Sequence, residues 1–222
     1  MLITLMLALG GVTAYLLGSV NGAIIVSRML YGQDVRSSGS GNAGLTNFFR
    51  TYGVTGIIGV IAIDVLKGVL AALIGGWLLS AAAPEGWAEE FTATGRCVAT
   101  FCCILGHSFP VFYGFKGGKG ILTGVSCAAV IDINAALIAL FIFGVIVAAT
   151  RYVSLGSIVS TASVPVTMLA NGFSGRCLII ASAAVIMIIF RHHANIKRLL
   201  AHNESKIAFR RDISHKLDND SF

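Results

Sequence analysis

The chain carries one polar stretch, Gly39-Ser40-Gly41-Asn42-Ala43-Gly44-Leu45-Thr46-Asn47-Phe48-Phe49-Arg50, between two long apolar segments. This stretch holds three glycines, several hydroxyl and amide side chains and a closing arginine, and it holds no acid. Packing against apolar neighbours does not require such a composition. Exposed backbone N–H groups at glycines, together with hydroxyls and a guanidinium, bind anions and most naturally phosphate. The stretch therefore predicts a phosphate site at the end of apolar helices.

The apolar segments around this stretch indicate an integral membrane protein. Of the 222 residues, 56% are hydrophobic and only 12% are charged, whereas a soluble domain carries about 25% charged residues. The mean hydropathy is +0.85. Because the bilayer core has no water for backbone groups, each span must be a helix unless the strands close into a barrel, and these segments lack the alternation of barrel strands. We therefore expect an all-α integral membrane protein.

The apolar segments predict about seven transmembrane helices. They are residues 2–26, 54–83 and 93–109, two spans within 121–150, one span ending near residue 170 and one ending at residue 190. The first segment lacks a basic leader and is long for a secretory signal, so we interpret it as a retained span. Residues 121–150 fit one over-long helix or two short ones. We favour two, because a turn at Asp132 and Asn134 would place both side chains in water.

The distribution of basic residues predicts the orientation. With seven spans and a periplasmic N-terminus, thirteen of the 16 Lys and Arg residues fall on the cytoplasmic side, which agrees with the positive-inside rule. The C-terminus is then cytoplasmic as well. We expect a single membrane-embedded domain over residues 1–200, followed by a polar cytoplasmic tail over residues 201–222.

Two further polar patches share the predicted cytoplasmic face. Residues 106–120 place Lys116 and Lys119 among glycines, and residues 151–157 contain Arg151 and Ser154. Contact with anionic lipid would explain these cations alone, but it does not explain the Gly, Ser and Asn residues that accompany them. A phosphate group carries about −1.5 to −2 charges near neutral pH, so two phosphorylated substrates would need several cations beside them. We therefore expect the three patches to form one anion site.

Familiar cofactor motifs are absent from the sequence or incomplete. Residues 39–44 match G-x-G-x-x-G but follow no strand, and residues 113–120 resemble a Walker loop with Tyr113 and Gly120 at positions that need Gly and Ser or Thr. There is no HExxH, no GxSxG and no cluster of acids, and the five cysteines without CxxC spacing are typical of small buried hydrophobic residues. We expect no metal, no cofactor and no nucleic-acid partner. The oligomeric state stays open.

Several polar residues lie within predicted spans. Asp64 and Lys67 are three residues apart and share one helix face, where they can pair. A self-neutralised structural pair is slightly favoured over a role in support of the site. His107 fits a general base, but a capping or packing role is more common for such a histidine. We interpret Asn21 as a polar contact between helices.

The polar tail offers a second group of candidates. His192 and Asn195 are three residues apart and share one face if the tail starts as a helix. Glu204 is the first acid of the tail. It can position a hydroxyl group, or it can pair with Arg198 or Lys206, which contributes little if the pair is exposed.

Four runs together resemble one known family. In chain order they are GSGNAGLTNFFRTYG at residues 39–53, GHSFPVFYGFKGGKG at 106–120, RYVSLGSI at 151–158 and RHHANIKRLLAHNESK at 191–206. In this order they are similar to the bacterial acyl-phosphate-dependent glycerol-3-phosphate acyltransferases, the PlsY family. The resemblance covers nearly the whole chain.

The resemblance implies a seven-helix enzyme of the bacterial inner membrane with its active site facing the cytoplasm. It implies transfer of a fatty acyl group from long-chain acyl phosphate to the sn-1 hydroxyl of glycerol 3-phosphate. The products are lysophosphatidic acid and phosphate, formed without a covalent acyl-enzyme. The expected partners are these two substrates and membrane lipid.

The motifs also imply site residues. We expect the catalytic residues to be Ser40, Arg50, Lys119, Ser154, His192 and Asn195. We expect the substrate-binding residues to be Gly39, Gly41, Asn42, Thr46, Asn47, His107, Lys116, Gly117, Gly118, Gly120, Arg151 and Glu204. The chain departs from the family pattern before Glu204, where His202 and Asn203 replace a usual Gly and small hydroxyl residue.

Two other functions are alternatives to the enzyme. A transporter for a phosphorylated metabolite would be favoured by inverted repeats and interrupted helices near the midplane, and the sequence shows no internal repeat. A membrane scaffold that binds anionic lipid would depend on total charge and not on Ser40, Asn47 or Ser154. Arg50→Lys separates these readings, because lysine cannot reproduce bidentate binding of a phosphate.

Overall fold

The computed structural model describes residues 1–207. Within them lie ten α-helices and two short 3-10 turns, joined by loops. The α-helices are α1 (Leu2–Ser19), α2 (Gly22–Tyr31), α3 (Leu45–Tyr52), α4 (Ile57–Ala81), α5 (Ala88–Ser108), α6 (Ile121–Ile131), α7 (Ile133–Thr150), α8 (Val153–Ala170), α9 (Gly175–Arg191) and α10 (His193–Leu200). The all-α prediction is confirmed for these residues. The rest of the predicted tail, with Arg210, Arg211 and Lys216, lies outside the described residues.

Five segments of residues 1–207 are long and apolar enough to cross a membrane. They are Leu2–Tyr31, Ile57–Ala81, Ala88–Tyr113, Ile133–Thr150 and Val153–Ala170. A sixth is possible if α9 and α10, which meet at an angle of 58°, form one broken span. The structure therefore supports a polytopic membrane protein, with fewer clear spans than the seven expected.

The shortfall comes from α6, which is too short, and from α9, which qualifies only together with α10. The chain does break into two helices within residues 121–150, and Asp132 is the break. Its Oδ1 caps α7 by accepting from the Asn134 and Ala135 N–H groups, which stabilises a helix start at this point. The 11 residues of α6 span only about 16 Å, roughly half of the hydrocarbon core.

Glycines bring α1 and α5 into backbone contact. A Cβ atom on Gly18 would collide with the carbonyl oxygen of Cys103, and one on Gly106 would collide with that of Tyr15. Small residues at these positions permit the close approach that stabilises helix pairs in lipid. The contact fixes the end of α5, from which the second polar patch continues.

Aromatic packing positions the first polar patch. Tyr31 at the end of α2 stacks on Tyr52 at the end of α3, with ring centroids 4.1 Å apart. Phe48 lies beneath them, fully buried beside Ile24 and Val35. Because α3 is short and strongly amphipathic, this apolar face is what holds it against α2 and α4. The polar residues of the patch are left on the opposite side.

Candidate active site

The first loop of the site is shaped by Asn47. Its side-chain oxygen accepts from the Ser40 N–H at 2.9 Å, and its amide nitrogen donates to the carbonyl oxygens of Val35 at 3.0 Å and Ser38 at 3.1 Å. Both amide hydrogens are therefore engaged with the backbone, and Asn47 has none left for an anion. Its structural role is to turn the loop so that Ser40 faces the cavity mouth.

Arg36, held by Asp34, ties this loop to the glycine-rich loop at residues 114–120. Arg36 donates to the carbonyl oxygens of Tyr113 and Lys116, both at 2.8 Å, and to Asp34 at 2.8 and 2.9 Å. Hydrogen bonds from Arg36 hold the pKa of the Asp34 carboxyl well below its usual range. Sequence reasoning missed this clamp, although an adjacent acid and base before a glycine-rich patch was a usable signal.

Arg191 holds the glycine-rich loop from the other side. Its guanidinium donates to the carbonyl oxygens of Gly117 and Gly118 at 3.2–3.3 Å and lies 5.0 Å from the centre of the Phe109 ring. Gly118 must be a glycine, because a Cβ atom there would collide with the His107 ring and lie 2.6 Å from the Ala43 carbonyl oxygen. The loop is thus fixed by its backbone, and Lys119 leaves it in a defined direction.

Glu204 is the centre at which three distant segments meet. Its Oε1 accepts from the Ser154 hydroxyl at 2.8 Å and from the Asn195 amide at 2.7 Å, and its Oε2 accepts from Arg198 at 2.7 Å. Lys119 donates to the side-chain oxygen of Asn195 at 2.5 Å. The second patch, the third patch and the tail therefore form one hydrogen-bonded cluster, as the sequence predicted.

Burial and neighbouring groups together set the pKa values of Glu204 and Lys119. Burial opposes ionisation of Glu204, but the hydrogen bonds from Asn195, Arg198 and Ser154 outweigh it and lower the pKa of the carboxyl. Burial also lowers the pKa of Lys119 to about 8, and Arg198 and Arg50 act in the same direction while Glu204 opposes them. A bound phosphate would favour the charged lysine.

Arg50 connects the first patch to the segment that carries Glu204. It is exposed at the cavity mouth, and its guanidinium donates to the Ser205 carbonyl oxygen at 3.0 Å. The Ile207 N–H donates to the Arg151 carbonyl oxygen at 2.9 Å. Residues 201–207 therefore cross from α10 over the start of α8 to α3, and they close one side of the site.

His192 lies at the bend between α9 and α10, with 2% of its surface exposed. Its Nδ1 is 2.8 Å from the Ile188 carbonyl oxygen. Since a carbonyl oxygen can only accept, Nδ1 must carry the hydrogen, and the neutral ring has Nε2 as its acceptor. The ring is thereby oriented, and it can receive a hydrogen bond from a substrate hydroxyl.

A buried charge cluster supports the site from the α4 side. Lys67 contacts Asp64 at 2.7 Å and donates to the Val20 carbonyl oxygen at 2.7 Å and to His107 Nδ1 at 2.8 Å. Asp64 also accepts from the Gly22 N–H at 3.2 Å. The pair fixes the break between α1 and α2, as the structural interpretation expects, and Asp64 also lines the cavity, as a role in support of the site expects. His107 Nδ1 is occupied by Lys67, which favours the packing role over a general base.

Asn21 lies at the same break. Its side-chain oxygen caps α2 by accepting from the Ile24 N–H at 3.0 Å, and its amide donates to the Ala43 carbonyl oxygen at 3.1 Å. Asn21 therefore links the α1–α2 break to the first loop of the site, and not two helices to each other as expected.

A cavity of about 300 Å³ opens at this cluster and continues between α5, α6, α7, α8 and α9. Its lining is polar at the loop end and mainly apolar along the helices. The expected site residues that line it are Ser40, Asn42, Thr46, Asn47, Arg50, His107, Lys119, Gly120, Ser154, His192, Asn195 and Glu204. One cavity thus joins a cationic end to a long apolar side.

Six expected residues do not line the cavity. They are Gly39, Gly41, Lys116, Gly117, Gly118 and Arg151. The glycines act through the loop backbone. The Lys116 and Arg151 side chains are exposed, so the structure does not bring them to the anion cluster, and their carbonyl oxygens serve as acceptors for Arg36 and Ile207. Arg198, which the sequence offered only as a partner of Glu204, does line the cavity.

The fold is that of a helical membrane protein with a cavity that is cationic at its loop end and mainly apolar along its helices. The family model described as Glycerol-3-phosphate acyltransferase matches residues 8–202. The chain belongs to the glycerol-3-phosphate acyltransferase family and is an enzyme of phospholipid synthesis. The family inferred from the four motifs is therefore confirmed.

Relatives in other organisms are similar to this chain over most of its length. A glycerol-3-phosphate acyltransferase of Thermoanaerobacter pseudethanolicus is 40% identical over 207 residues, which cover 92% of this chain and 98% of the relative. One from Clostridioides difficile is 37% identical and covers 90% and 95%.

The crystal structure of PlsY (YgiH), an integral membrane glycerol 3-phosphate acyltransferase, has a similar fold. Its glycerol 3-phosphate form superposes with a TM-score of 0.77 at 35% identity and covers 91% of this chain and 96% of that chain. Its lysophosphatidic acid form gives a TM-score of 0.76 at 32% identity and covers 91% and 95%.

Proposed function

We propose that the protein transfers a fatty acyl group from long-chain acyl phosphate to the sn-1 hydroxyl of glycerol 3-phosphate, releasing lysophosphatidic acid and phosphate. The observation that carries this proposal is one cavity whose loop end is cationic and whose helical side is apolar. Its loop end presents Arg50, Lys119 and Arg198, and its helical side is mainly apolar. A phosphate head with an acyl chain attached is an amphiphile that matches both ends at once.

The residue roles follow from the contacts. Arg50, Ser40 and Lys119 surround the mouth and would bind the phosphate groups, because two anions in one site need several cations. The Gly117 and Gly118 N–H groups already donate to the carbonyl oxygens of Ser108 and His107, so they would fix the glycine-rich loop and not bind the phosphate. His192 and Asn195 would orient the glycerol hydroxyls, with Asn195 held by Glu204 at 2.7 Å. Ser154 would act through the same carboxylate.

The chemistry requires no protein nucleophile. An acyl phosphate is a mixed anhydride and is already activated, so the enzyme has to hold two anions together and stabilise the charge that develops on the carbonyl oxygen. The bond from the glycerol oxygen to the acyl carbon forms, and the bond from that carbon to the phosphate oxygen breaks. The departing phosphate accepts the hydroxyl proton. Acyl transfer then proceeds directly, without a covalent acyl-enzyme.

The protein would be a multi-pass protein of the bacterial inner membrane. The proposed orientation has a periplasmic N-terminus, a cytoplasmic C-terminus and seven crossings, with α6 as a short one completed by the loop before it. This layout gives the cytoplasmic face most of the basic residues. Residues 1–200 would form the catalytic domain. The contacts of Glu204 extend the working part to residue 207, into the segment assigned to the tail.

The decisive experiment measures phosphate release by the purified protein in lipid vesicles. We expect release from acyl phosphate only when glycerol 3-phosphate is present, with lysophosphatidic acid formed in equal amount. Arg50→Ala should abolish it. Arg176→Ala is the matched control, because Arg176 pairs with Glu90 near the start of α5, away from the cavity lining.

Three results would contradict the proposal. Release without glycerol 3-phosphate would indicate a phosphatase. Product formed from acyl-CoA but not from acyl phosphate would refute the donor. No product from either donor, with uptake of glycerol 3-phosphate into the vesicles, would indicate transport.

A further inference from the structure

The apolar side of the cavity ends in a closed wall. Cys97 from α5, Ala135 from α7 and Met168 from α8 all line the cavity, and each is at most 2% exposed. They belong to one buried cluster with Cys177 from α9. Asn171 donates to Asp132, which also lines the cavity, at 2.7 Å and ties the end of α8 to the start of α7. The cavity is therefore bounded at this end by tightly packed side chains.

The helices give the depth of the cavity. Ser154 and Met168 both line it and lie on α8, about 21 Å apart along the helix axis. On α9 and the bend that follows, His192 and Ala181 also line it, about 16 Å apart. A fully staggered hydrocarbon chain advances about 1.25 Å per carbon, so this depth accommodates about 13 to 17 carbons.

We propose that this end wall sets the upper limit on acyl-chain length and that Met168 is its main specificity-determining residue. The inference rests on the proposed function in one respect, since it places the acyl chain in the cavity. Cys97 and Ala135 present short side chains, so Met168 is the member of the wall that extends furthest. Its unbranched, flexible side chain fills the space in which longer chains would continue.

Two substitutions change the depth in opposite directions. Met168→Ala removes the side chain that closes the cavity and should admit about two to three further carbons. Ala139→Leu places a larger side chain on the α7 lining, about 6 Å from Ala135 along the helix axis, and it should exclude the longest chains. Met187→Ala is the matched control, because Met187 lies on α9 but does not line the cavity.

The measurement is competition between acyl phosphates of 10 to 20 carbons in one reaction, with the products separated by mass. We expect Met168→Ala to raise the ratio of the 20-carbon to the 16-carbon product at least tenfold. Ala139→Leu should lower the ratio of 16-carbon to 12-carbon product by a similar factor, and Met187→Ala should leave both ratios unchanged. Because each ratio is taken within one preparation, a reduced folded fraction cancels.

Two negative results have different meanings. If the wild-type protein forms no product from any acyl phosphate, the proposed function fails. If the wild type is active and neither cavity variant shifts its profile relative to Met187→Ala, the proposed function stands and the end wall does not set chain length. A shift only with Ala139→Leu would place the acyl chain in the cavity and overturn the role of Met168.

Discussion

Lys67→Met removes a charge from the buried cluster beneath the site. Lys67 is 4% exposed and Asp64 is 1% exposed, and the lysine makes three polar contacts of 2.7–2.8 Å. Methionine keeps the length and the apolar stem of the side chain but makes none of these contacts. Within residues 1–207, Asp64 then retains the Gly22 N–H as its hydrogen-bond donor. A nearly unpaired charge is left in the interior of the helix bundle.

The cost follows from that orphaned carboxylate. Removing one partner of a buried ion pair destabilises a protein by about 3–5 kcal/mol. For a protein of this size, we expect the thermal midpoint to fall by about 6–20 °C. Asp64→Asn should be milder, about 1–3 kcal/mol, because the amide oxygen still accepts from Lys67. In the double variant neither charge remains, so it should be no less stable than Lys67→Met alone.

The assay is thermal unfolding in detergent micelles followed by circular dichroism, repeated as a denaturant titration. Lys197→Met is the control, since it makes the same substitution at an exposed position of α10. The reasoning fails if Lys67→Met lowers stability no more than Lys197→Met does. It also fails if the two single effects simply add in the double variant, because a true pair requires a coupling energy of about 1–3 kcal/mol.

Three further predictions concern the anion cluster. Arg50→Lys should raise KM for glycerol 3-phosphate at least tenfold in steady-state assays. The reason is that losing a hydrogen bond to a charged group typically costs about 1.5–3 kcal/mol. An unchanged KM would favour a site that needs only total charge. The pKa of Lys119 is lowered to about 8 by burial, so its ammonium is charged below that pH and kcat/KM should fall as the pH rises above it. Lys119→Arg should move that fall to higher pH, and the idea is wrong if the wild-type and variant profiles coincide. Burial opposes ionisation of Glu204, but its hydrogen bonds lower the pKa of the carboxyl from 4.5. The ionised carboxylate therefore stabilises the folded protein above pH 4.5, and this stabilisation is lost as the pH falls through the pKa in the native state. Thermal midpoints measured from pH 6 to pH 3.5 should therefore decline more steeply for the wild type than for Glu204→Gln, and parallel declines would exclude this role.

The helices were predictable from local pattern, and the convergence of the patches was predictable from the distribution of basic residues over the predicted spans. Apolar runs of sufficient length fix the spans, and Asp132 ends α6 because its carboxylate caps the next helix. The number of complete spans was not predictable in the same way. The break at Asp132 was predicted and leaves α6 with 11 residues, but the seven-span prediction counted this short helix as a complete span.

Individual side-chain directions in the glycine-rich loop were also beyond the sequence. Lys116 and Lys119 have the same chemistry and are three residues apart, but the first is exposed and the second reaches Asn195. The difference is set by Arg36 and Arg191, which bind the loop carbonyl groups from two distant parts of the chain. A glycine-rich backbone has little preference of its own, so tertiary contacts decide where each lysine points.

The position of Glu204 has a consequence for how the protein is made. Chains are synthesised from the N-terminus at about 5–20 residues per second, and Glu204 follows α10, the last helix within residues 1–207. Ser154 and Lys119 are therefore synthesised before the carboxylate that joins them in one cluster. A chain that has inserted only the helices up to α8 carries both side chains but lacks the groups that connect them. The cluster is completed only when the segment after α10 folds back onto the start of α8.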